Sequence, residues 1–506
     1  MTDRVSSKHS ASKIINLIET KKENFWSRER EKRPVLIFHE AAKRVPAYKD
    51  FLKKHKVNPS KIKTLHDFKQ VPIIDKKNYL RKYPLEKLCW DGTLKKQLVF
   101  TATSGSTGEP FYFPRGRQLD WEYSIISELF LKNSSYKEEP ILIIVCLGMG
   151  VWIAGVLNYQ AFKIAAENGK HGVSILTPGI NKGEILKAIR LLSPNFKQTI
   201  LLGYPPFLKD VIEDALSSGI DVKKLNIRFL SGAEAFTEKF RDQLVKEAGI
   251  RSPYLDTLNV YGTADIGSMA WETPISILIR RLAVKRTKFF ESIFSQINKT
   301  PTLAQYNPLF INFEAVNEDI ILTGNSSIPL IRYSVGDHGG VLSFGDITSK
   351  AEKCNLDLKE EARKVGIEKS IYKLPFVYVY ERKDLSATLY GLQIYPEIIK
   401  EALLDEPHGK FLTGKFSMLT KFDKKNNQYL EINLELRKNA QYSKKLKEQT
   451  LRHVVLNLRS KISEFRELHD YLKKRALPQL VFWPYEHSLH FNPSSKQKWV
   501  KKENKK

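Results

Sequence analysis

The sequence predicts an α/β protein: a large N-terminal body of several α/β subdomains, then a small α+β domain. Three observations predict it. The 506 residues suffice for roughly three or four units of about 150 residues each. From Leu98 to about Asp265, short β-rich runs alternate with helix-length segments, the pattern of α/β units. After Pro375 the pattern changes to a strand, a helix, a hairpin, a long helix and a last strand.

Residues 1–90 form the helical lead-in, with Lys21–Arg33 as a charge run on a solvated helix face. Leu98-Val-Phe100 reads as a strand entering a loop. Ile141 to Leu157 is uncharged and apolar, near the lower length limit of a membrane-spanning helix. Pro140 precedes it and Gly148, Gly150 and Gly155 interrupt it, so it reads as a buried strand (Ile141–Cys146), a turn and a helix start. Thr199–Gly203 and Leu225–Leu230 read as strands around a helix from Pro206 to Ser217.

Thr273 to Ile297 places Leu278, Leu282, Phe289, Ile293 and Ile297 at helical spacing among Arg280, Arg281, Lys285, Arg286 and Lys288. It reads as a helix packed on its own domain with a wet basic face; the alternative is peripheral contact with a membrane or partner through 273–297. Asn312–Asp337 reads as strands and turns, and Phe376–Tyr380 as a strand. The large domain is assigned to 1–380 and the small one to 381–506. Within the latter, Ile394–Leu404 and Ser443–Lys474 are read as helices, Gly414–Leu436 as a hairpin and Leu480–Trp483 as a strand.

Composition narrows the classes. With 42% hydrophobic and 11% aromatic residues, the chain buries a large core and is not disordered as a whole. Its 83 basic and 56 acidic side chains give +27, which favours anionic partners without choosing among nucleotides, coenzyme A, an acidic carrier protein, nucleic acid or a membrane surface. Cys89, Cys146 and Cys354 are odd in number and form no Cys-x-x-Cys pair, so neither a zinc knuckle nor a disulfide framework is indicated. Reduced cysteines and a polar start without a signal peptide fit a cytoplasmic protein.

Thr101-Ala-Thr-Ser-Gly-Ser-Thr-Gly-Glu-Pro110 carries chemistry. Glycines turn backbone N–H groups towards an anion, and hydroxyls add donors for phosphate oxygens. The spacing is neither a Walker loop nor a nucleophile elbow. A solvated turn of the same composition is the plainer reading of this stretch alone.

Five further stretches follow in order: Ser231-Gly-Ala-Glu234; Tyr261-Gly-Thr-Ala-Asp265; Pro329-Leu-Ile-Arg-Tyr-Ser-Val-Gly-Asp337; Arg382-Lys-Asp384 with Gly391-Leu-Gln-Ile-Tyr-Pro396; and Ser495-Lys-Gln-Lys-Trp-Val500. Together with Thr103–Gly108 they resemble the adenylate-forming (AMP-binding) enzymes, and among these the phenylacetate–CoA ligase-like branch. The resemblance runs from about residue 100 to 500.

The resemblance implies the adenylate-forming fold, with a small C-terminal domain that moves on a hinge at Arg382–Lys383. It implies a ligase that activates a carboxylic acid with ATP and Mg²⁺ and passes the acyl group from AMP to coenzyme A. Thr103, Ser104, Gly105, Ser106, Thr107 and Gly108 would wrap the phosphates. Gly232, Ala233 and Glu234 would face adenine, Tyr261 would stack on it, Gly262 would belong to the same nucleotide site, and Asp337 would accept from the ribose hydroxyls. Asp265 would hold Mg²⁺. Lys496, Thr107 and Arg382 are the catalytic candidates, with Lys498 as the rival to Lys496. An aromatic or medium acyl group would sit among Phe111, Tyr112, Phe113, Trp121, Trp152 and Tyr204.

Departures from the family pattern are Ala264, Asp265 in place of Glu, Glu381 beside the hinge and Ser495 before the lysine. Residues 273–307 read as an insertion. Two other readings stand: transfer to a carrier protein or other acceptor, and a non-catalytic or nucleic-acid-binding protein on a degenerate fold. No specific nucleic acid is expected. His487-Ser-Leu-His490 has metal-like spacing but reads as surface or packing residues.

Overall fold

In the computed structural model, a mixed sheet of eleven strands dominates the chain. The structure describes residues 10–96, 99–102, 111–149, 153–169, 171–232, 235–295, 300–380, 387–389, 392–404, 408–422, 428–462, 465–466, 469–470, 473–488, 490–491 and 499–500. The first thirteen strands are β1 (Val99–Ala102), β2 (Tyr112–Arg115), β3 (Ile141–Cys146), β4 (Val173–Leu176), β5 (Gln198–Gly203), β6 (Ile227–Gly232), β7 (Thr257–Thr263), β8 (Gly267–Trp271), β9 (Thr302–Gln305), β10 (Ile311–Val316), β11 (Asp319–Gly324), β12 (Leu330–Leu342) and β13 (Phe376–Tyr380). The sheet order is β10-β11-β12-β13-β9-β8-β7-β6-β5-β3-β4, and β1 and β2 form a separate hairpin.

Strands β4, β3, β5, β6 and β7 run parallel. Helices at Ile153–Gly169, Lys182–Leu191, Pro205–Ser217 and Glu238–Ala248 make the crossovers that parallel pairing requires. β3 and β5 are buried at every position, which is why they read as unbroken apolar runs. From β7 onwards the neighbours are antiparallel. One core lies on the parallel half under the helices Ala11–Thr20, Arg117–Lys132 and Ile153–Gly169. A second joins the lead-in helices to the antiparallel half through Phe38, Tyr48, Phe68, Ile74, Tyr306 and Tyr333.

The chain separates into two compact units. The first comprises Met1–Tyr204, Asp214–Ala235 and Val245–Tyr380; the second comprises Pro205–Glu213, Phe236–Leu244 and Glu381–Lys506. In the second, β14 (Ala387–Leu389) pairs with β15 (Leu392–Ile394), and β16 (Leu412–Phe422), β17 (Gln428–Leu436) and β18 (Gln479–Trp483) form a three-stranded sheet. The helices Pro396–Leu404 and Lys444–Lys461 cover it through Ile398, Ile399, Val454 and Leu458. The long helix expected to Lys474 breaks at Ile462, which turns extended and is buried; Phe465, Arg466, His469 and Asp470 are helical again.

Two expectations need correction. Thr273–Ile297 is not one helix but two, Pro274–Lys285 and Thr287–Ile293, separated at an extended Arg286. Its apolar stripe packs on its own domain, the preferred reading: Ile275, Ile279, Leu282, Phe289 and Ile293 are core residues packed with Leu303, Ile347 and Phe376. The basic face, however, is not wet throughout: Arg280 is buried and pairs with Glu272 at 3.5 Å. Ile297 lies outside the described residues. The uncharged run after Pro140 is β3 and the start of a helix, and no helix among the described residues is long and apolar enough to cross a membrane. His487 and His490 pack on the Trp483 ring, His490 stacked at 3.9 Å.

Arg228 and Asp256, both fully buried, tie β6 to the turn before β7 at 3.2 Å. Asp256 also accepts from the N–H groups of Ser135 and Ser252, each at 3.1 Å. Removing one partner of a buried pair strands the other charge, at a cost of about 3–5 kcal/mol. Asp256→Ala is therefore expected to lower the urea-unfolding free energy by that amount; a loss under 1 kcal/mol would show the pair to be dispensable.

Candidate active site

The parallel strands deliver their carboxyl ends to one edge. Cys146 of β3 stands beside Gly203 of β5, Gly203 beside Ser231 of β6, and Gly232 beside Val260 of β7. In open α/β sheets this edge is where ligands bind. Gly232 faces Val260 there: a Cβ on it would lie 3.4 Å from the Val260 carbonyl oxygen, an ordinary contact. The next residue along β7 is Tyr261, which partly packs against Phe313.

β7 then turns tightly into β8. A Cβ at Gly262 would meet the Gly267 carbonyl oxygen at 2.6 Å, and Gly267 itself has φ +89°. The turn therefore needs both glycines. Opposite it, β12 is irregular: Ile321 pairs with Ser334 but Asp319 pairs with His338, leaving two extra residues in β12 around Gly336, whose φ is +81°. The bulge re-aims Asp337, as bulges beside sites do. The Tyr261 hydroxyl donates to Asp337 Oδ2 at 2.6 Å. Two motifs 76 residues apart in sequence are thus joined by one hydrogen bond.

Asp265 is buried and differently engaged. The Tyr333 hydroxyl donates to its Oδ2 at 2.6 Å, and Lys76 Nζ stands 2.9 Å from its Oδ1. Arg115 links this turn to the hairpin that leads into the Ser/Thr/Gly loop. It donates from Nε to Thr101 Oγ1 at 3.0 Å, and to the carbonyls of Asp265, at 3.2 Å, and Ala264. Burial brings the Arg115 guanidinium down to about 10, opposed by the Asp265 charge. Neither Lys76 nor Arg115 stood out in the sequence. Lys76 lies outside every motif, and Arg115 looked like an ordinary basic residue after the loop.

Of the residues expected from sequence, Gly232, Tyr261, Gly262, Asp265 and Asp337 are brought together here. Thr103, Ser104, Gly105, Ser106, Thr107, Gly108, Ala233, Glu234, Arg382, Lys383, Lys496 and Lys498 lie outside the described residues, as does Trp152. The aromatic lining is not one cluster. Phe111 and Phe113 pack in the antiparallel core, Trp121 and Tyr204 in the parallel one, and Tyr112 is exposed.

Asp265 fits poorly as a ready metal ligand, because both oxygens already have partners within the chain. No group of three or more His, Cys, Asp or Glu able to hold a metal occurs among the described residues.

Behind the turn lies a cavity of about 30 Å³ lined by residues that include Leu119, Glu122, Ile266, Ser268, Trp271 and Asn307. That is space for about two waters. Gln118 donates to Glu122 at 2.7 Å, yet burial dominates and pushes the carboxyl up to about 8.

No family model matches the chain. A phenylacetate-coenzyme A ligase from Thermus thermophilus is 21% identical over 242 residues, 47% of this chain and 49% of that protein. The match thus spans about half of that relative. A 2-hydroxyisobutyryl-CoA ligase in its postadenylation state, in complex with R3-HIB-AMP, matches with a TM-score of 0.65 over 97% of this chain and 92% of its own, at 13% identity. The chain shares the fold of this ligase. The same ligase in its thioesterification state, with 2-HIB-AMP and CoA, matches at a TM-score of 0.51 over 96% and 91% of the two chains, at 13% identity.

The cavity acid gives a stability signature. The folded chain keeps Glu122 protonated between its ordinary 4.5 and about 8, while the unfolded chain releases that proton, so stability falls as pH rises through this window. Glu122→Gln is expected to remove this slope, melting closer to wild type at pH 5 and above it at pH 8; equal shifts at both pH values would contradict a neutral Glu122.

Proposed function

We propose that the protein activates a carboxylic acid with ATP as an acyl-adenylate and transfers the acyl group to the thiol of coenzyme A. One observation carries the proposal: Gly232, Tyr261 and Asp337 converge at the carboxyl edge of the sheet, in a fold used by adenylate-forming ligases. Adenine lies against Tyr261 and Gly232, and the Asp337 carboxylate, an acceptor only, takes the ribose hydroxyls. The Tyr261 hydroxyl holds that carboxylate before the nucleotide arrives, so little has to be reorganised on binding.

In the first step the substrate carboxylate oxygen attacks the α-phosphorus, an O–P bond forms and pyrophosphate leaves. The carboxylate is already ionised near neutral pH, so no general base is needed. Charge builds on phosphate oxygens, and the donors of Thr103–Gly108, the Thr107 hydroxyl and the Lys496 ammonium oppose it. In the second step the thiol sulfur attacks the acyl carbon, the C–O bond to AMP breaks and the thiol proton passes to solvent. Residues 381–506 form the mobile domain, and Arg382–Lys383 the hinge between the two steps. Neither step is assigned to Mg²⁺, since Asp265 is engaged within the chain. Three cysteines without disulfide partners support a cytoplasmic location as part of this reading.

The charge of +27 favours one second reading, in which an acidic acyl carrier protein replaces coenzyme A. Both readings require acid-dependent pyrophosphate release, and comparing coenzyme A with a phosphopantetheinylated carrier separates them. A panel of aromatic, hydroxy and medium-chain acids with ATP is expected to give release with at least one member. Failure across the whole panel would remove the ligase assignment. Lys496→Ala is expected to slow adenylation by roughly two to three decades; an unchanged rate would move the role to Lys498.

A further inference from the structure

The carboxylate that the family resemblance gives to a metal already has a cation beside it. Lys76 Nζ lies 2.9 Å from Asp265 Oδ1, with the carboxylate side chain 4% exposed and the lysine 30%. The other oxygen accepts from Tyr333. The ammonium therefore reaches from the solvent side to a nearly dry anion.

The chain around Lys76 is fixed on both sides. Ile74 forms a parallel bridge to β12: its N–H donates to the Arg332 carbonyl at 3.0 Å, and its carbonyl accepts from Ser334 N–H at 2.9 Å. Arg332 takes the left-handed φ of +49° and donates from its guanidinium to the carbonyls of Lys69 and Val71. Beyond Lys76, Asp75 Oδ1 accepts from the N–H groups of Lys77 and Asn78 at 2.6 and 2.7 Å, and Asn78 Oδ1 accepts from Asp75 N–H at 2.8 Å. A flexible side chain thus starts from a rigid, short platform aimed at Asp265. Tyr333, the next residue after Arg332, supplies the second partner of the same carboxylate.

We propose that Lys76 is the resident counter-ion of Asp265 and excludes divalent cations from that carboxylate while the nucleotide is absent. A cation on Oδ1 would stand next to an ammonium with little water between them to screen the repulsion. A hard divalent ion also wants several oxygens, whereas Asp265 has none left without a partner. A triphosphate offers the ammonium another anion, and only this last point rests on the proposed nucleotide site. Metal binding measured without nucleotide therefore tests the exclusion separately from the ligase reading.

The probe is Mn²⁺, titrated into the nucleotide-free full-length protein while the electron paramagnetic resonance of free Mn²⁺ is followed. Wild type and Asp265→Asn are expected to bind equally little. Lys76→Gln is expected to gain one site, absent again in the Lys76→Gln, Asp265→Asn double variant, and Lys76→Arg is expected to behave as wild type. Cooperative melting of each variant checks its fold, with Lys76→Met as the substitute if Lys76→Gln fails. An Asp265-dependent Mn²⁺ site in the wild type, or no new site in folded Lys76→Gln or Lys76→Met, would overturn the proposal.

Discussion

Strand β7 imposes the constraint on which the site depends. On one side it is parallel to β6, on the other antiparallel to β8. The parallel side requires helical crossovers and brings strand carboxyl ends to a common edge. The antiparallel side requires a tight return, made by Gly262 and Gly267. Tyr261 and Asp265 sit where the two regimes meet, so one short segment faces both the strand-end edge and the irregular part of β12. Asp337, which accepts from Tyr261, follows the bulge of β12 at Gly336.

Charge in this region is managed by pairing and not by exposure to water. Arg115 gives its donors to Thr101 and to the carbonyls of the turn. Arg332 binds Glu314 and the carbonyls that precede the Lys76 platform. Each guanidinium joins segments far apart in sequence, a use to which its rigid fork of donors is suited. The lead-in helices thereby become part of the site's support, because the segment at 69–78 is pinned to the strand that carries Tyr333 and Asp337.

Much of this was legible in the sequence, for physical reasons. β3 and β5 are buried on both faces, so they appear as unbroken apolar runs. Tyr261–Asp265 and Pro329–Asp337 stood out through their likeness to family motifs, and the structure gives their glycines a physical reason: no room for a Cβ at Gly262 and a positive φ at Gly336. Lys76 was not legible: its partner is 189 positions away (265 minus 76), and its neighbour Lys77 makes it look like part of a solvated charge run. The segment after Thr273 was legible in part: its apolar stripe packs on its own domain and Lys285, Arg286 and Lys288 are exposed, but Arg280, read as part of the same wet face, is buried against Glu272.

The central claim is that Tyr261 and Asp337 form one half of a nucleotide grip. Calorimetric titration of ATP and of AMP into wild type and Asp337→Ala tests it most directly. The account requires both nucleotides to bind the wild type, and the variant to bind each at least about tenfold more weakly, as expected when a ligand loses charge-assisted hydrogen bonds. Equal affinity in a folded variant would contradict it.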